Sequence, residues 1–74
     1  MEEFVLNVIN EVRSLKGLAK IDKLEDNMDL RNDLALSSFD LAELTVRIED
    51  EYDVDIFENG LVNTVGEILA KLSK

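Results

Sequence analysis

The chain has no cysteine, so disulfides, thiolate metal sites and thiol nucleophiles are all ruled out. It has no histidine, which removes the commonest general base and the commonest metal ligand. A self-contained hydrolase or zinc enzyme is therefore not expected, and neither a catalytic nor a metal site is assigned. Proline is absent, and the three glycines stand at Gly17, Gly60 and Gly66. No linker, repeat or low-complexity segment breaks the 74 residues, which read as a single domain, 1–74. A chain of this length buries one small core at most. No long apolar run follows the acidic start Met1-Glu2-Glu3. Neither a secretory signal nor a membrane span is expected, and the expected location is cytoplasmic.

Positive charge is scarce too: Lys and Arg number 8 against 17 Asp and Glu, a net charge of −9. Nucleic acid is excluded as a natural partner, because a polyanion repels a polyanion. Basic protein surfaces are favoured, with fast and salt-sensitive encounters. Acidity alone can mean only solubility, but its distribution here is uneven. Residues 1–21 are balanced, whereas only Lys23, Arg31 and Arg47 oppose the run of acids from Asp22 to Glu58. That concentration implies a used surface.

Apolar periodicity predicts helices throughout. From Glu2 to Lys16, Phe4, Val5, Val8, Ile9, Val12 and Leu15 form one stripe. Gly17 is the expected C-cap, with Arg13 and Lys16 complementing the helix dipole. Residues 18–36 read as a long loop pinned by Leu18, Ile21, Leu24, Met28, Leu30, Leu34 and Leu36, with room for a single helical turn. Ser37 with Asp40 is a variant capping box that opens a second helix, running to about Tyr52. After the apolar stretch Val54-Ile56-Phe57, Asn59-Gly60 marks a turn, and Leu61 and Val62 are assigned to a brief helix. Thr64 with Glu67 caps the last helix, whose buried stripe is Val65, Ile68, Leu69 and Leu72. The expected fold is all-α, three main helices and one short one with a long loop between the first two.

The second helix carries two apolar stripes where a small domain needs one. Leu41, Leu44, Thr45, Ile48 and Tyr52 share the core face; Phe39, Ala42 and Val46 fall on another, bordered by Ser38, Glu43, Glu49 and Asp50. The second stripe reads either as isolated surface residues or as a docking ridge with an acidic rim. Burying Phe39 and Val46 in a complex would contribute about 1.5–3 kcal/mol each before association costs. At the helix start, Ser37 takes the capping role and leaves Ser38 without a structural duty. Free N–H groups and the positive dipole end favour an attached phosphate there. A serine nucleophile would need an activating base, and the chain has no histidine.

The segment from Asp33 to Leu44, with Leu34-Ala35-Leu36-Ser37-Ser38-Phe39-Asp40-Leu41 at its centre, resembles the phosphopantetheine attachment region of acyl carrier proteins. That family typically reads Leu-Gly-Leu-Asp-Ser-Leu and then an acidic, Leu-rich helix. Ile48-Glu49-Asp50-Glu51-Tyr52-Asp53-Val54-Asp55-Ile56 and Thr64-Val65-Gly66-Glu67-Ile68 are similar to the family's helix end and final helix start. The resemblance implies an acyl-carrier-like bundle, and a carrier rather than an enzyme. It implies that a phosphopantetheinyl transferase attaches 4′-phosphopantetheine from coenzyme A to Ser38. Acyl groups would then ride as thioesters between acyl-loading and acyl-processing enzymes of fatty-acid, polyketide or related biosynthesis. By the same resemblance Asp40, Glu43, Glu49 and Asp50 face basic docking patches, with Phe39 and Val46 as apolar contacts and Glu58 as a weaker match. A monomer is expected.

The chain departs from the family pattern at four positions. Ser37 stands in place of the usual Asp, Phe39 in place of Leu, and Ala35 in place of a common Gly. Arg47 interrupts the acidic helix where a small neutral residue is usual. These favour a specialised carrier over a housekeeping one. A D-alanyl or peptidyl carrier, or an unmodified helical interaction module with the same fold, are the alternatives. A calcium loop is not supported: after Asp53-Val54-Asp55, Phe57 and Glu58 fill positions that need an oxygen ligand and a glycine.

Overall fold

Val5, Val8, Ile9 and Val12 recur at helical spacing, and in the computed structural model they form the buried face of α1 (Glu2–Leu15). The structure describes residues 2–58, 60 and 62–73. α2 (Ser38–Tyr52) buries Leu41, Leu44 and Ile48, and α3 (Val65–Leu72) buries Val65 and Ile68. All three helices are those the periodicity predicts, and no strand lies among the described residues. α1 and α2 pack antiparallel: Phe4 meets Tyr52 edge to face at 5.4 Å, Glu11 pairs with Arg47, and Lys16 with Asp40.

α1 ends as its sequence demands. Gly17 sits at φ +76, its N–H reaches the Ser14 carbonyl at 3.0 Å, and the Leu18 N–H reaches Arg13 at 3.0 Å. This is a Schellman turn, which needs the left-handed conformation glycine takes without a Cβ penalty. Leu15, expected in the buried stripe, is instead 83% exposed. The chain turns back one residue pair later, and Leu18, half-buried, faces inward.

The long loop is tied down along its length. Leu24, Leu30, Leu34 and Leu36 join the core, and Ile21 and Met28 pack against it. Asn10 holds the Ile21 backbone at both ends, accepting from its N–H at 2.8 Å and donating to its carbonyl at 3.0 Å. The loop includes one helical turn: Asp33 N–H bonds the Asp29 carbonyl, the Asp29 carboxylate accepts from Arg31 and Asn32, and the Asp33 carboxylate accepts from Asp29 N–H.

The loop also completes α3. Of the four N–H groups that a helix start leaves unpaired, Val65 bonds the Met28 carbonyl and Gly66 the Asp26 carbonyl, each at 3.0 Å. Thr64 supplies its hydroxyl to Glu67 N–H and its carbonyl to Ile68 N–H. Gly66 is required by this join, since a Cβ there would lie 2.9 Å from the Asp26 carbonyl oxygen. The brief helix expected at Leu61 and Val62 is not among the observed elements. Leu61 and Asn59 lie outside the described residues, and Val62 is buried but not helical. Its neighbour Asn63 accepts from Leu30 N–H at 2.8 Å, so this stretch pairs with the loop across an Asp29–Thr64 bridge.

Candidate functional site

Ser37 and Ser38 divide their labour at the start of α2. Ser37 is the N-cap: its hydroxyl accepts from Asp40 N–H, and the Asp40 carboxylate accepts from Ser37 N–H at 2.8 Å. With its side chain so occupied, Ser37 orients the first turn. Ser38 is exposed, and its hydroxyl has no hydrogen bond among the described residues. The Ser38 and Phe39 N–H groups likewise have no described acceptor, because Asp40 N–H goes to the Ser37 hydroxyl and Leu41 N–H to the Ser37 carbonyl.

The contrast with α3 is informative. There, loop carbonyls consume the first two N–H groups; at α2 they stay open beside a free hydroxyl. Such a helix end favours an anion through its amides and its dipole. A phosphodiester-linked group fits here: there is an exposed oxygen to carry it and two donors to hold its charge.

The segment before Ser38 is held from α1 by bonds that local patterning did not reveal. Arg13 donates to the carbonyls of Leu34, at 2.6 Å, and Ala19. Lys16 donates to the Ala35 carbonyl and, at 2.7 Å, to the Asp40 carboxylate. The Lys16 ammonium, then the Ser37 N–H, hold the Asp40 carboxyl below its ordinary pKa. Ala35 itself lies in the left-handed region at φ +59. The expected dipole role of Arg13 and Lys16 is thus joined by a cross-link to the loop.

On the outer face of α2, Phe39 is 87% exposed and Val46 61% exposed, with Ala42 exposed between them. The core face matches the periodicity, with Thr45 and Tyr52 half-buried beside Leu41, Leu44 and Ile48. The acids differ in their company. Asp40 is bound by Lys16, and Glu43 by Arg47 at 2.9 Å, while Glu49 and Asp50 are exposed with no described partner. Arg47 also reaches Glu11, and the two carboxylates raise its pKa. Glu58 is exposed beyond the helix. Leu15, one residue from the Lys16 link to α2, is an exposed apolar residue that the stripe in the sequence disguised as core.

Residues 8–72 match the family model of the phosphopantetheine attachment site. No curated protein and no solved structure matches the chain. Members of that family covalently bind 4′-phosphopantetheine and are carriers rather than enzymes. The match runs from the middle of α1 to the last residue of α3, across most of the helical frame, and the chain belongs to the phosphopantetheine-attachment family of carrier proteins.

Proposed function

We propose that this chain is an acyl carrier modified at Ser38, a cytoplasmic monomer that shuttles acyl intermediates between enzymes of fatty-acid, polyketide or related biosynthesis. One observation carries the assignment of the serine: Ser38 has a free, exposed hydroxyl beside two open amides, while its neighbour Ser37 is consumed as the cap.

In the loading step the Ser38 oxygen attacks the pantetheine-bearing phosphate of coenzyme A, and adenosine bisphosphate leaves. The hydroxyl proton passes to a base on the transferase, since this chain has no histidine to take it. The new phosphodiester charge then sits at the N-terminus of α2, where it is stabilised by about 0.3–1 kcal/mol. The attached arm supplies the thiol that this chain lacks, on which acyl groups ride as thioesters. Tethering keeps that cargo at high effective concentration near each docked enzyme.

Docking is assigned to the outer face of α2. Phe39 and Val46 supply apolar contact, and Asp40, Glu43, Glu49 and Asp50 supply charge complementary to a basic patch. Incubation with coenzyme A and a broad-specificity phosphopantetheinyl transferase tests the reading by intact mass. The chain gains one phosphopantetheine, and Ser38→Ala abolishes the gain. No gain in the parent chain, or a gain that survives the substitution, overturns it.

A further inference from the structure

The acids of α2 fall into two electrostatic groups. Near Ser38, Asp40 is ion-paired with Lys16 at 2.7 Å, and Glu43 with Arg47 at 2.9 Å. Arg47 reaches across to Glu11 of α1 as well, so one cation is shared by two carboxylates and this end of the helix is screened rather than stripped of negative charge. A neutralised pair leaves only a short-ranged dipole, whereas an unpaired charge acts over a Debye length of about 8 Å at physiological salt. At the far end, Glu49, Asp50 and Glu51 have no cation partner among the described residues.

A second observation marks the same end. A helix C-terminus favours cations, and α1 and α3 obey, with Arg13 and Lys71 in their last turns. The last turn of α2 has no basic residue and three acids, against its own dipole. Departures of this kind from local preference concentrate at functional sites. Val46, Glu49, Asp50, Glu51 and Asp53 line a shallow depression there, so an exposed apolar side chain sits beside the free carboxylates. No group of three or more carboxylates among the described residues converges closely enough to hold a metal ion. Charge and shape fit Lys or Arg side chains that rim an apolar contact on a protein.

We propose that Lys16 and Arg47 set partner specificity: by pairing with the acids nearest Ser38, they leave a basic partner to dock on Glu49, Asp50 and Glu51. This rests on the reading of α2 as the docking helix, but it divides acids that the family resemblance treats alike. Glu49 lies eleven residues beyond Ser38, about 16 Å along the helix. A matching partner therefore carries its basic cluster at about that distance from the mouth that receives the Ser38 hydroxyl. Next to Ser38 it meets Phe39, an apolar contact, instead of a free acid.

Two measurements test this. In transferase kinetics with coenzyme A, the Glu49→Gln/Asp50→Gln double variant raises KM by about fivefold or more at low salt and flattens its salt dependence. Glu43→Gln raises KM less than the double variant does, and Arg47→Gln, which frees Glu43, lowers it. Equal losses from Glu43→Gln and the double variant overturn the proposal, as does an Arg47→Gln variant with unchanged KM. Lys16 is left intact because it also holds the Ala35 carbonyl. Independently, titration of the unmodified chain with a hexa-arginine peptide shifts amide resonances most at residues 49–53. Shifts centred on residues 40–43 overturn the proposal even if Ser38 is modified. Shifts at 49–53 in a chain that takes up no phosphopantetheine keep it and overturn the assignment of Ser38 instead.

Discussion

Ala35 sits at φ +59, where the Cβ of an L-residue crowds the following carbonyl at a cost of about 1–2 kcal/mol. The conformation persists because Arg13 and Lys16 hold the carbonyls of Leu34 and Ala35 from α1. Ala35→Gly removes the crowding, and urea unfolding should show a gain of about 1 kcal/mol, less some glycine backbone entropy. A loss of stability would mean that the Ala35 methyl packs usefully. Asp40 is the other residue near the site that Lys16 holds. Its folded pKa is depressed below the ordinary value of 3.8, first by the Lys16 hydrogen bond and next by Ser37 N–H. A depressed carboxyl contributes stability above its unfolded pKa and loses it as pH falls through the folded value. Lys16→Gln should therefore destabilise the chain more at about pH 6 than at a pH low enough to protonate Asp40 in the folded and the unfolded chain. An equal loss at both pH values would assign the role of Lys16 to the Ala35 carbonyl alone.

At the scale of the element, α2 and α3 share a capping box but differ in what they leave open. Ser37→Ala removes the hydroxyl that accepts from Asp40 N–H and should cost about 0.5–2 kcal/mol in urea unfolding, while Ser38→Ala should cost little. A comparable loss from Ser38→Ala would contradict the division of roles between the two serines. Both caps, the Gly17 turn and the core faces were legible in the sequence, because each is a pattern within four residues of itself. The loop was legible only as a set of apolar anchors. Its bonds to α3, the Asn10–Ile21 pair and the reach of Arg13 and Lys16 link residues distant along the chain. No periodicity encodes such pairings. Leu15 misled for a related reason: it continues the α1 stripe, but the helix ends before that position meets the core. At the site, the charge and spacing of the α2 acids were readable, and so was the i,i+4 spacing of Glu43 and Arg47, whereas the pairing of Asp40 depends on where the end of α1 brings Lys16.

For the whole molecule, a net charge of −9 is held within a body of 31 × 21 × 20 Å. The three ion pairs among the described residues are solvent-accessible and worth little individually, while acids without such a partner repel one another in the folded state. Raising sodium chloride from about 10 mM to about 200 mM screens that repulsion and should raise Tm. A falling Tm would show that the screened pairs matter more than the repulsion. On the docking proposed for α2, the same excess charge, gathered between Asp22 and Glu58, would favour brief visits to basic surfaces. Ser38, beside an identical neighbour, is the residue proposed to bear the arm. Intact-mass analysis of the protein purified from its native host, with fragmentation between residues 37 and 38, tests it most directly. One phosphopantetheine on Ser38 is the expected result; an unmodified chain, or the group on Ser37, would contradict the assignment.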